Sequence, residues 1–353
     1  MLVDDLVKSP GSWLSMARDT GIVISSRARL ARNVRDTAFP AWSSKDELVR
    51  LCNNLRGAFE RISTLANPLF FDMGALGPVD KDVLRERHLI SNELVEKQAG
   101  SGLIVAEDER IAIMINEEDH LRLQSMSSGM NLRAVWKKID AVDSELEGYV
   151  NYAFSPRFGY LTACPSNVGT GLRVSVMMHL PGLRLMNEIE PAIRGLNRMG
   201  IEVRGILGEG TEASGNMFQI SNRTTLGETE DAIIDQLIQL AKEIVEHEQN
   251  ARARLMEQKM VYVLDHVERA FAVLSHAHVL SSGEAVELLS GLRLGIELDI
   301  VENVTVGRIN EIMLLTQPGH LQKIAKKVLD PEERDEVRAQ IVKQKLKGIS
   351  IKG

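Results

Sequence analysis

Up to about residue 225 the apolar positions alternate between short runs and helical stripes, and the pattern predicts a mixed α and β region. Residues 21–24 read as a strand leading into an arginine-dense segment, Ser25 to Asn33. Residues 44–62 have helical spacing, with Leu48, Leu51, Leu55 and Phe59 on one face, and a second helix is predicted over 80–87. The apolar runs 102–106 and 111–115, joined by Glu107-Asp108-Glu109-Arg110, read as a hairpin. A helix is expected over 127–141, and strands over 158–163 and 172–180. A helix over 188–199 closes at Gly200, strand 201–207 feeds a glycine-rich loop at 208–215, and 217–221 reads as a further strand.

Beyond this point the pattern changes. Residues 228–257 form one long helix with Ile234, Leu237, Ile238, Ala241 and Val245 as its apolar stripe. Ser281 and Glu284 suit a helix start. Asp330-Pro331-Glu332-Glu333 is a stronger start signal, for a helix running to Lys347 and stopping at Gly348. The expected division is a mixed domain over 1–255 and an all-helical one over 256–353, with the boundary near 255–260.

Composition narrows the class. The 353 residues are 44% hydrophobic and 26% charged, a balance typical of soluble globular chains of about two domains. No stretch approaches the ~18 consecutive apolar residues of a membrane span. The first ten residues carry Asp4 and Asp5 against Lys8, unlike the basic start of a secretory signal. The net charge of −7 disfavours a general nucleic-acid binder. Cys52 and Cys164 make no disulfide framework, so a cytoplasmic location is expected.

The common phosphate and metal motifs are missing: no P-loop, no protein-kinase signature and no zinc spacing occurs. What remains is arginine at predicted strand ends. Arg27 and Arg29 are two apart, so in an extended segment they point the same way. Arg122, Arg173 and Arg204 stand beside other strand ends. Each alone reads as surface charge; together they suggest a triphosphate clamp, since guanidinium forks hold phosphate oxygens bidentately. A nucleotide held by such a clamp needs no P-loop lysine, and Mg²⁺ is expected with it.

Glu117, Glu118, Asp119 and Glu209 are the acidic candidates, against the plain reading of solvated turns. A carboxylate pair can orient a guanidinium acceptor and take its proton, which a group of pKa about 12.5 must lose before it attacks. Cys164, before Pro165, is either a small buried residue or a thiolate near the arginines, with Ser166 in reach. A cysteine hydrolase would need a paired histidine, and neither His120 nor His179 has a telling context.

Ser25-Ser26-Arg27-Ala28-Arg29, Asn116-Glu117-Glu118-Asp119-His120-Leu121-Arg122 and Cys164-Pro165-Ser166-Asn167-Val168-Gly169-Thr170-Gly171-Leu172-Arg173 resemble the motifs of the phosphagen (ATP:guanido) kinases, in that family's order. The resemblance implies an α+β fold, a glutamine-synthetase-like antiparallel sheet flanked by helices. It also implies that Ser25, Ser26, Arg27, Ala28, Arg29, His88, Arg122, Arg173 and Arg204 bind ATP, that Glu118 is the base, and that Cys164 assists. Glu209 is the second carboxylate it implies, with Glu212 as a rival.

The arginine motif begins near residue 25, so the helical N-terminal domain of the phosphagen kinases is expected to be missing, and a helical tail is expected in addition. That combination resembles the family's bacterial branch acting on arginine residues of proteins, whose RDxxRA motif matches Arg334-Asp335-Glu336-Val337-Arg338-Ala339. The resemblance makes Arg334, Asp335, Arg338 and Ala339 a regulatory phosphoarginine pocket; a surface salt-bridge patch is the plain alternative. It further implies a heat-shock repressor and Clp-bound proteins as substrates, and a McsA-type zinc-binding activator. A homodimer is expected through the helical domain, whose Leu288, Leu289, Leu292 and Leu294 call for a cover. A kinase for free arginine and a non-catalytic phosphoarginine-binding adaptor are the rival functions.

Overall fold

A computed structural model describes residues 3–11, 13–14, 21–65, 67–205 and 214–352. The strands in chain order are β1 (Val23–Arg32), β2 (Leu69–Asp72), β3 (Gly102–Val105), β4 (Ile111–Ile115), β5 (Leu121–Ser128), β6 (Phe154–Ser155), β7 (Gly159–Tyr160), β8 (Leu172–His179), β9 (Ile201–Gly205), β10 (Met217–Asn222), β11 (Val301–Glu302) and β12 (Ser350–Ile351). The helices are α1 (Val3–Leu6), α2 (Lys45–Phe59), α3 (Pro78–Glu86), α4 (Asn92–Val95), α5 (Leu132–Glu147), α6 (Pro181–Leu185), α7 (Ile189–Arg198), α8 (Glu230–His276), α9 (Ser282–Glu297), α10 (Val306–Leu315), α11 (Pro318–Ala325) and α12 (Pro331–Lys345). Eight strands form one antiparallel sheet in the order β2-β3-β4-β5-β1-β8-β10-β9.

Strand alternation sorts the side chains of this sheet. Ala28, Leu30, Leu121, Leu123, Leu172, Val174, Val176, Phe218 and Ile220 enter one core, shared with α2, α5, α7 and the first half of α8. The residues between them face the other way, and two smaller cores cover parts of that second face. One joins α1, α3 and α4 to Leu103, Val105, Ala112 and Met114. The other packs α9, α10 and α12 against Ile24, Met126 and Met217. A register shift between Val23 and Ser25 lets Val23 join the large core while Ile24 turns to the helical domain. The uncovered strip between the two small cores is where the arginines lie.

Several elements differ from the sequence expectation. β1 runs on through Arg32, so Arg27 and Arg29 are mid-strand and not beyond a strand end. Residues 127–128 finish β5, and α5 begins only at Leu132. Pairing with Ser25 and Ser26 of β1 outweighs the helical spacing there. The expected strand over 158–163 shrinks to the two-residue β7, because the chain bends to tie Ala163 to Asp119. Leu289, Leu292 and Leu294 fill the core of the helical domain, with Leu288 packed against it, so they supply no exposed face. Met260, Val261 and Tyr262 are the exposed apolar group of α8 instead.

The expected domain boundary falls inside α8, which continues to His276 and departs from helical geometry at Lys259 (φ −139°, ψ 31°). The two parts are tied by buried charge. Glu86 of α3 accepts from the backbone N–H groups of Gly319 (2.6 Å) and His320 (3.0 Å) and from His320 Nδ1 (2.6 Å), at the start of α11. Glu297 lies 2.6 Å from Arg252 Nη1 and 3.5 Å from Arg293 Nη2, and Arg293 donates to the carbonyl of Gly21.

Candidate active site

On the open strip of the sheet a cleft of about 1020 Å³ has Arg27 and Arg29 of β1, Arg122 of β5, Arg173 of β8 and Arg204 of β9 along its walls, together with His88. Register brings them side by side: Arg29 pairs with Arg173 on one side and with Gln124 on the other. Burial and then repulsion from Arg122 and Arg173 push Arg27 down to about 9. Burial with repulsion from Arg204 and Arg122 pushes Arg173 down to about 10, and Arg29 is lowered well below the usual arginine value for the same kind of reason. His88 is driven to about 3 by burial, Arg27 and Arg29, so it is neutral; its ring meets Trp13 edge-on at 5.0 Å. This is a concentrated positive field, suited to a polyanion.

Four of the five arginines have a neutral or anionic partner, while Arg29 Nε is buried with no hydrogen-bond partner. Arg27 Nη2 donates to Gln219 (2.6 Å) and Arg122 Nη1 to Glu117 (2.5 Å). Arg173 pairs with Glu202 and donates to Ser221 Oγ (3.1 Å); Arg204 pairs with the same Glu202 at 2.7 Å. Sequence reasoning missed Gln219, Glu202 and Ser91, which donates to Glu117. Glu202 had one signal, its place two residues before Arg204 on the same strand face.

The neighbours Ser26 and Ala28 point the opposite way. Ser26 donates to the carbonyl of Gly129 and accepts from Asn131 N, and Ala28 is in the large core. Neither they nor Ser25, which is buried, line the cleft. Arg32 is also turned inward, held by Asp143 (2.7 Å) and lying 3.5 Å over the Tyr160 ring.

The segment from Asn116 to His120 joins β4 to β5, and four of its five side chains are buried and spoken for. Asn116 Nδ2 donates to the carbonyls of Gly100 and Leu48. Glu117 takes Arg122, Asp119 accepts from Asn33 Nδ2 (2.6 Å) and Ala163 N (2.7 Å), and His120 donates from Nε2 to Ala38 O while accepting from Val34 N. Glu118 alone is exposed. Burial of part of its surface, then Asp119 and Glu117, raise its pKa above the ordinary glutamate value. The Asp119–Ala163 bond docks the Cys164 loop next to this turn, and Cys164 Sγ stands 3.0 Å from Ser166 Oγ. Gly169 closes that loop at φ +114°, where a Cβ would meet the Thr225 carbonyl at 2.2 Å. His120 and His179 both have other partners, His179 being bonded to Ser290 (2.8 Å). Glu118 and Cys164 do not line the arginine cleft itself. Glu209 and Glu212 lie outside the described residues.

At the tail motif, the Arg338 guanidinium is enclosed: it donates to the carbonyls of Thr316 (3.0 Å) and Leu280 (2.7 Å) and pairs with Asp335. Ala339 belongs to the core. Arg334 is half-buried and donates to Leu329 O (3.0 Å). Thus Arg334 and Asp335 are the members of this motif that reach the surface.

Residues 51–251 match the family model described as ATP:guanido phosphotransferase, C-terminal catalytic domain, and residues 258–352 match that described as protein-arginine kinase McsB C-terminal domain. The chain belongs to the protein-arginine kinases. A protein-arginine kinase of Shouchella clausii (strain KSM-K16) is 41% identical over 351 residues, 98% of each chain. One of Geobacillus thermodenitrificans (strain NG80-2) is 44% identical over 95% of this chain and 93% of its own. Among solved structures, lombricine kinase superposes with a TM-score of 0.59 at 25% identity, over 71% of this chain and 76% of its own. The enzyme is therefore an ATP-dependent phosphotransferase acting on guanidino groups of arginine, built as α+β with an antiparallel sheet and a helical C-terminal part.

Proposed function

We propose that the five cleft arginines hold the ATP triphosphate and that Glu118 takes the proton of a substrate arginine presented from solvent. The observation that carries this reading is the exposure of Glu118 alone in a turn whose other side chains are all engaged. Its raised pKa suits a group that must collect a proton. As the guanidinium loses its proton to Glu118, its nitrogen bonds to the γ-phosphorus, the bond from that phosphorus to the β–γ bridging oxygen breaks, and ADP departs. Arg122 and Arg173, nearest that end, balance charge on the transferring group. Cys164 supports the acceptor, and Glu209 or Glu212 is the second carboxylate.

Among the described residues no three His, Cys, Asp or Glu side chains gather as a metal site. The donor set at the cleft fits Mg²⁺ only as an ion carried in by the phosphate oxygens, where it would screen their charge. Arg334 and Asp335 are proposed to receive phosphoarginine at the tail. We further read the enzyme as cytoplasmic, marking proteins for Clp degradation and acting on a heat-shock repressor, with a McsA-type activator and a second copy of itself as partners. The sequence resemblance supports these roles. Among the described residues no helix is long and apolar enough to cross a membrane.

The deciding experiment supplies Mg·ATP with free arginine and an unfolded protein side by side, and reads products by phosphorus NMR and neutral-pH mass spectrometry. Phosphate on protein arginines alone supports the proposal. Phosphate on free arginine alone would make this a small-molecule kinase, and ATP binding without transfer would favour the adaptor.

A further inference from the structure

We infer that the C-terminal helical domain completes the nucleobase end of the ATP cleft, and that Asn310 of α10 reads the 6-amino group of adenine. The inference rests on the ATP-site reading above. The cleft has a direction. The Glu118 turn enters β5 just before Arg122, and the Cys164 loop enters β8 just before Arg173, so the acceptor side lies at that end of the sheet. A γ-phosphate facing Glu118 must send its ribose and base toward the opposite end. Four strand residues from Arg173, roughly 13 Å at the strand rise, β8 presents Met177, level with Gln219 and Arg204, and from there an apolar wall adjoins the charged one.

That far wall belongs to two domains. Ile24, Met177 and Met217 come from the sheet, and Val286, Met313 and Leu314 from the helical domain. The mixture suits a purine: flat apolar contact with few polar groups to orient it. Asn310 is such a group. It lines the cleft, is only 6% exposed, and its Oδ1 has no hydrogen-bond partner. A buried unpaired carbonyl is unfavourable, and a ligand N–H relieves it. A carboxamide can accept from the adenine 6-amino group and donate to a neighbouring ring nitrogen, whereas guanine presents a carbonyl at position 6. The tail domain would then act on substrate selection at the catalytic cleft itself.

The test measures binding to the full chain by calorimetry, comparing Mg·ATP with Mg·purine riboside triphosphate, which lacks only the 6-amino group. The wild type should bind the analogue about tenfold or more weaker, the scale of leaving the buried Asn310 carbonyl unpaired. Asn310→Leu should weaken ATP more than the analogue, so that the two nucleotides converge, and should raise KM for ATP more than it lowers kcat. Equal binding of both nucleotides by the wild type overturns the inference without needing the variant, even if that variant does not fold. A tenfold preference that persists in folded Asn310→Leu also overturns it, because another group then reads the base. If ATP itself does not bind the wild type, the ATP-site reading has failed, and this inference with it.

Discussion

Arg122 Nη1 lies 2.5 Å from Glu117 Oε1, and the carboxylate of that pair is buried while the guanidinium reaches into the cleft. Glu117 therefore aims Arg122 and takes no part in receiving the acceptor. Glu117→Gln keeps the shape and removes the charge-assisted contact. Loss of such a contact should lower kcat/KM for ATP by about tenfold or more, with the melting temperature little changed. Steady-state kinetics at varied ATP would show it; an unchanged kcat/KM would remove Glu117 from this positioning role.

Glu118 should behave oppositely. Glu118→Gln is expected to abolish transfer while ATP still binds by calorimetry. The raised pKa gives the sign of the pH effect: the base is protonated and idle at low pH, so kcat should rise with pH through a limb lying above the ordinary glutamate range. A wild-type profile flat through that region, or an active Glu118→Gln enzyme, would exclude Glu118 as the base.

Much of this site was legible in the sequence because most of the cleft arginines sit in contiguous motifs, and strand alternation pairs Arg27 with Arg29. The same motifs hid a division of labour. Ser26, Ala28 and Arg32 share the arginine segment but face the core, which needs the strand to be known to extend to Arg32. Glu202 offered only its spacing from Arg204, and Gln219 and Asn310 offered no signal, because their places in the cleft come from register and from docking of a distant helix. The helix start at Asp330 is a local signal, and both halves of its capping box are present. The leucines of α9 misled because an apolar stripe does not say whether its cover is internal.

The two arginines of the tail motif should separate by stability. Arg338→Ala strands the Leu280 and Thr316 carbonyls and breaks a buried tie, at a cost of about 3 kcal/mol. Arg334→Ala should cost well under about 1 kcal/mol while weakening the response to phosphoarginine. Urea melts of both variants decide; equal losses would refute this assignment.

Acid should loosen the joint between the domains. Burial alone would raise the Glu297 carboxyl, but Arg293, His179 and Arg252 outweigh it and hold it at about 2. A carboxyl lowered in the folded state stabilises above its unfolded pKa of about 4.5 and loses that contribution as pH falls toward about 2. Glu297→Gln should therefore lower stability near neutrality and flatten its pH dependence between those values. Chemical denaturation at several pH values tests this, and parallel curves for variant and wild type would disprove it.

The 47-residue α8 has a final consequence. The matched segments end at 251 and begin again at 258, yet no loop separates them, so a cut placed there would sever one rod and leave two frayed stumps. Ala251 and Leu255, on either side of such a cut, are fully buried in different cores. Whatever seats against the tail therefore pulls on the same spine that braces the catalytic sheet, and the bend at Lys259 is the place where that spine can give.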